Sequence, residues 1–129
     1  MNGNYTKKIK KPFHEVVFKI EENLHEEGFD IVTNIDITDS LKKRQGINFR
    51  NYRIIGACNQ ALGYKLITQE SHNGLMLPCN ILIQEHENGE VEVSAINPME
   101  SMCNATEVDI TSVTNEISKK LSLAINHVN

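Results

Sequence analysis

Tryptophan is absent from the chain, and aromatic residues make up only 5% of it. Cysteine is scarce too: Cys58, Cys79 and Cys103 are an odd number with no CxxC spacing. That argues against a disulfide framework and fits a reducing, cytosolic setting. No apolar run approaches the roughly 18 residues that span a bilayer. The opening "MNGNYTKK" lacks the apolar core of a secretory signal, so a cytoplasmic protein off the membrane is expected. Positive charge is not in excess either. Thirteen Lys and Arg against seventeen Asp and Glu give a net charge of −4, which speaks against nucleic acid held by a globally basic surface. No glycine-rich phosphate loop of the P-loop or dinucleotide type occurs.

What is present is ordinary globular material. Of 129 residues, 40% are hydrophobic and 23% charged, which suits one domain over 1–129 with a core of its own. Tyr5 to Lys11, containing "KKIKK", reads as a short strand whose lysines protect a sheet edge. In "FHEVVFKIEENLHEEG", Phe13, Val16, Val17, Ile20 and Leu24 form one helical stripe, and Gly28 suits the C-terminal cap. "FDIVTNIDI" changes to a period of two, which predicts a strand with Phe29, Ile31, Thr33, Ile35 and Ile37 on one face. "TDSLKKRQG" predicts a short helix starting at Thr38 or Asp39 and ending before Gly46.

"NYRIIGACN" predicts a strand buried on both faces near its end, with Asn59 capping the helix that carries Leu62 and Leu66. "LMLPCNILIQEH" alternates, placing Leu75, Leu77, Cys79, Ile81 and Ile83 on one face and Pro78 at an edge or bulge. A turn at Gly89 joins it to "VEVSAI". Asn97-Pro98 opens a connection to a last helix striped by Ile110, Val113, Ile117, Leu121, Ala124 and Val128. The order predicts an α+β fold of two layers: a mostly antiparallel sheet with two long helices packed on one face.

The string "YRIIGACN", followed by "LMLPCNILI" and "VEVSAINP", resembles the domain-of-unknown-function 302 family, and "EEGFDIVTNIDI" leading into "LKKRQGINFRNYRI" is similar too. The resemblance runs from about Tyr5 to Val128. It implies a compact α+β domain resembling one half of the TATA-binding protein fold, and a homodimer. It implies no activity, and a fold shared with a DNA-binding protein transfers no DNA binding. The chain departs from the family pattern at three places. Gln60 stands where Pro is usual after Cys-Asn, Gly63 where Ala is usual, and Asn97 where Asp is usual. Loss of that last carboxylate removes a ligand or proton acceptor if it was one; as a helix cap, Asn serves equally.

The repeated Cys-Asn pair, Cys58-Asn59 and Cys79-Asn80, is the most distinctive chemical feature. If their strands are neighbours, the thiols converge near one end of the sheet. Cys58 would then sit at a helix N-terminus, where backbone N–H groups lower a thiol pKa. Asn59 and Asn80 would orient a small polar ligand, and Arg53 would fork onto an anion. The plainer alternatives are that the cysteines are small core hydrophobes, Asn59 is only a cap, and Arg53 pairs with a surface acid. Zinc needs a tight ligand set that Cys58, Cys79, Cys103 and His72 do not supply by spacing, and His14 and His25 are helix-face residues. A nucleophilic Cys58 would need a base such as His72 or His86.

Three functions remain open. The first is a small-molecule binding or sensing domain with a pocket at Cys58, Asn59, Cys79, Asn80 and Arg53. The second is a thiol-dependent redox or transferase-like enzyme using Cys58. The third is a homodimeric interaction module whose cysteines are structural. No cofactor is indicated.

Overall fold

The computed structural model describes residues 4–98 and 108–128. Cys103 and the connection after Pro98 lie outside them. The described elements are β1 (Asn4–Ile9), α1 (Phe13–Glu26), β2 (Asp30–Asp36), α2 (Ile37–Gln45), β3 (Tyr52–Cys58), α3 (Gln60–Gln69), a 3₁₀ turn (Ser71–Met76), β4 (Cys79–Glu85), β5 (Val91–Ile96) and α4 (Val108–Asn126). The strands form one antiparallel sheet in the order β1-β5-β4-β3-β2. The lysine-bearing β1 is indeed an edge strand.

The α1 stripe is buried as its period predicts: Phe13, Val16, Val17, Ile20 and Leu24 all enter the core. So do Ile117, Leu121, Ala124 and Val128, together with Ile125, from the C-terminal stretch, and Val113 packs against them. The side chain of Ile110 lies outside the described residues. These helices meet each other and the sheet, and α3 joins them through Leu62 and Leu66. Ile81 and Ile83 of β4, with Val91, Val93 and Ala95 of β5, supply the sheet side of the core. A polar seam ties β1 to α4. Tyr5 Oη bonds Ser118 Oγ, which donates to Asn97 Oδ1 at 3.0 Å, and Lys7 Nζ donates to the Asn126 carbonyl at 2.7 Å.

Two strand expectations change. The β2–β3 register shifts between Ile31 and Thr33, so the period of two breaks at Val32. Phe29 and Ile31 turn to the core, whereas Thr33 and Ile35 face away from it, opposite Gly56 and Ile54. One extra residue in a strand reverses every side chain after it. Ile37 begins α2 rather than ending β2, because Asp36 caps that helix by accepting from the Asp39 N–H at 2.9 Å. Gly46 closes α2 in the left-handed region, φ 65°. On the other side of the sheet's centre, Leu75 lies in the 3₁₀ turn and is 83% exposed, so it does not share the face of Ile81 and Ile83. Alternating letters without a ladder to pair with do not make a strand.

Candidate functional site

β3 and β4 are hydrogen-bonded neighbours, with Ala57 opposite Cys79 and Gly56 opposite Asn80. The two Cys-Asn pairs are therefore brought together along the backbone. The thiols lie within electrostatic reach of each other, while Asn80 points to the opposite side of the sheet. Cys79 shares the helix-covered side with Ala57 and packs against the core. Cys58 ends β3 opposite Asp30, and α3 passes close: a Cβ on Gly63 would come within 3.3 Å of Cys58 Sγ. Alanine at that position would crowd the thiol.

Both thiols are shifted toward the neutral form. Partial burial and the nearby Asp30 carboxylate push Cys58 up, although it precedes a helix N-terminus. Burial, with Cys58 adding to it, pushes Cys79 up to about 11. A nucleophilic thiol needs the opposite shift. The lowering expected at Cys58 is not found: burial and the Asp30 carboxylate both raise it. His72 pairs instead with Glu70 on the exposed surface, and among the described residues no cluster of three His, Cys, Asp or Glu could hold a metal.

Asn59 is the cap of α3. Its Oδ1 accepts the Leu62 N–H at 3.2 Å, and its Nδ2 reaches the Glu27 carbonyl at 3.5 Å. Arg53 stands five residues back along β3 from Cys58, about 17 Å at strand rise. There it meets Asp36 Oδ2 at 3.2 Å and Asn34 Oδ1 at 3.5 Å. Asn80 alone of the five projects, exposed, from the face of the sheet that none of the described helices covers.

That face carries its own recess. A groove of about 850 Å³ runs over β1, β5, β4 and β3. Ile54, Leu82 and Ile96 form its apolar floor, Tyr52 bounds it, and Thr6, Lys8, Glu92, Ser94 and Asn80 supply polar edges. Register explains the grouping. Thr6, Ser94, Leu82, Ile54 and Ile35 form one row across all five strands, and Lys8, Glu92, Gln84 and Tyr52 form the next. The Glu92 carboxyl is held low chiefly by its bond with His86, whose Nε2 lies 3.0 Å from Glu92 Oε1. Partial burial opposes that lowering, while the Ser94 hydroxyl, donating to Oε2 at 3.0 Å, assists it. The signal for this groove was in the sequence. Ile54, Leu82 and Ile96 are apolar at positions where a one-sided sheet should alternate to polar. A smaller recess, about 290 Å³, is lined by Cys79 and Asn80 with Leu75, Met76, Leu77, Pro78, Ile96 and Pro98. Asn59 borders a separate one on the helix side.

A sequence profile of the family described as domain of unknown function DUF302 matches residues 5–128. The chain belongs to this family. The crystal structure of the uncharacterised conserved DUF302 protein from Bacillus stearothermophilus superposes with a TM-score of 0.89 at 21% identity, covering 100% of both chains. At that identity the likeness establishes the DUF302 fold alone. A comparison with curated proteins finds no match. Within the described residues of this DUF302 chain, no helix is long and apolar enough to cross a membrane.

Proposed function

We propose that this DUF302 chain is a binding module that holds a small amphipathic molecule in the groove on the sheet face opposite its described helices. The carrying observation is the groove itself: about 850 Å³ with an apolar floor and a polar rim. Small-molecule sites combine these features at volumes of about 300–1,000 Å³. Asn80 belongs to this site, Cys58 and Cys79 support the sheet beneath it, and Arg53 is held by its acid. The test is a thermal-shift screen of amphipathic small molecules against the native chain and Leu82→Asp. Hits that stabilise the native chain and are lost in the variant are expected. Hits that survive Leu82→Asp would remove the groove from the proposal.

A second reading has one observation in its favour. Five strands at about 4.8 Å spacing and six or seven residues at about 3.4 Å give a face roughly 20 Å on each side. That is about 400 Å² in projection, within a factor of two of the roughly 800 Å² each partner contributes to a standard interface. A second copy of the chain would cover it, as the homodimer expected from the family would require. Sedimentation across concentration separates the two readings, since a monomer at high concentration leaves the face free.

A further inference from the structure

The two ends of the open-face groove differ in charge, and the difference bears on what it holds. At one end lie Ile96 and Asn80, with no charged side chain among the groove residues there. At the other, Lys8, Glu92, Gln84 and Tyr52 stand in one row. The Glu92 carboxylate in that row is already engaged on both oxygens, by His86 and by Ser94, each at 3.0 Å. Lys8 is exposed and stands opposite Glu92, on which its charge acts through space, but among the described residues it makes no direct ion pair or hydrogen bond. A second cation borders the same end: Arg50 Nε donates to Gln84 Oε1 at 3.1 Å, and its guanidinium lies 5.7 Å from the Tyr52 ring centre. Two cations thus flank one satisfied acid. Between the ends, Glu92 to Ile96 is four strand steps, about 13 Å of apolar floor.

Resting on the reading that this groove binds a small amphipathic molecule, we propose that the ligand is a free carboxylate amphiphile, its acyl chain on Ile54, Leu82 and Ile96 and its carboxylate at Lys8. A carboxylate gives the Lys8 ammonium the direct contact that Glu92, bonded to His86 and Ser94, does not, in a partly apolar setting where a charged hydrogen bond is stronger than in water. A cationic head would meet Lys8 and Arg50 instead, and a neutral head would leave Lys8 as it is.

The experiment titrates decanoate, decanol and decylamine into the full isotope-labelled chain and follows the backbone amide resonances of Ile54, Leu82 and Ile96. Decanoate should shift all three. Decanol should need about fivefold more, the worth of one partly exposed ion pair, and decylamine more again. Lys8→Gln, a surface change, should weaken decanoate about fivefold and leave decanol unaltered. If decanol matches decanoate, or Lys8→Gln weakens both alike, the carboxylate assignment falls while the groove stands. If no amphiphile moves these amides, the groove reading falls and this inference with it. If the same resonances change on dilution and decanoate is excluded, the face belongs to a second copy, and the inference is overturned.

Discussion

Replacing Gly56 by alanine tests the junction on which the site is built. Gly56 lies in the middle of β3, buried beneath Thr33 and Pro78. A Cβ there would sit 2.2 Å from Thr33 Oγ1, 3.0 Å from Pro78 Cγ and 3.5 Å from Asn80 Oδ1. Carbon contacts are comfortable at about 3.5–4.0 Å. Thr33 is β-branched and stiff about χ1, and the Pro78 ring cannot turn away. Overpacking of this kind costs about 1–3 kcal/mol. Alanine recovers about 0.5–1 kcal/mol by restricting the unfolded chain. The clash wins, leaving a net loss of about 1–2 kcal/mol. For a domain of this length roughly 4 °C accompanies each kcal/mol, so Tm should fall by about 4–8 °C. Circular dichroism melts and urea titrations at unchanged m-value measure it. Adding Thr33→Ala should restore part of the loss, since one of the two close contacts is removed, and the remainder should persist through Pro78. A Gly56→Ala protein as stable as the native one, or a double variant with no recovery, would refute the packing of β2 and the Pro78 approach on β3.

Asn59→Ala removes the cap of α3 and should cost about 1 kcal/mol in urea melts, whereas Asn59→Asp keeps the acceptor oxygen and most of the stability. The Glu92 carboxyl is lowered in the folded protein, so its contribution to stability is full above the unfolded value near 4.5 and is lost as pH falls through the folded one. Stability measured from pH 6 down to pH 3 should therefore decline more steeply for the native chain than for Glu92→Gln; parallel curves would show that the His86 bond carries no such coupling. In a Cys103→Ser background, a chromogenic disulfide at pH 8 should label Cys58 and Cys79 slowly in the native protein and fully on denaturation, because both thiols are raised. Rapid labelling of Cys58 in the native state would restore the thiol-enzyme reading.

How much of this was readable in advance depends on how local each feature is. The α1 stripe of Phe13 to Leu24 follows from the helical period alone, and the Asn59 cap from an oxygen reaching an N–H three residues on. Both are settled within a turn of chain. The face of Ile35 was not readable, because the register shift after Ile31 is decided by how β2 meets β3. Leu75 misled for a related reason: its place in an alternating string carries no information until a ladder partner exists. The groove depends on a still wider fact, namely which side of the sheet the helices cover. Ile54 and Leu82 stand out as apolar only after Ile55, Ile81 and Ile83 are known to be the buried set. The Cys-Asn repeat drew attention correctly to adjacent strands. The alternation of strand side chains then sent Cys79 to the core and Asn80 to solvent, so one motif feeds two sides of the sheet.

Strand β1 has only β5 beside it, with Asn4 opposite Ile96 and Ile9 opposite Val91. β1 precedes the other four described strands, yet its partner is the last of them, so it has nowhere to dock in this sheet until all four have been made. During that interval its backbone is bare, and Lys7, Lys8 and Lys10 repel a second nascent chain that would otherwise borrow it. The charges that guard the finished edge have their earliest use at the ribosome, before there is an edge to guard.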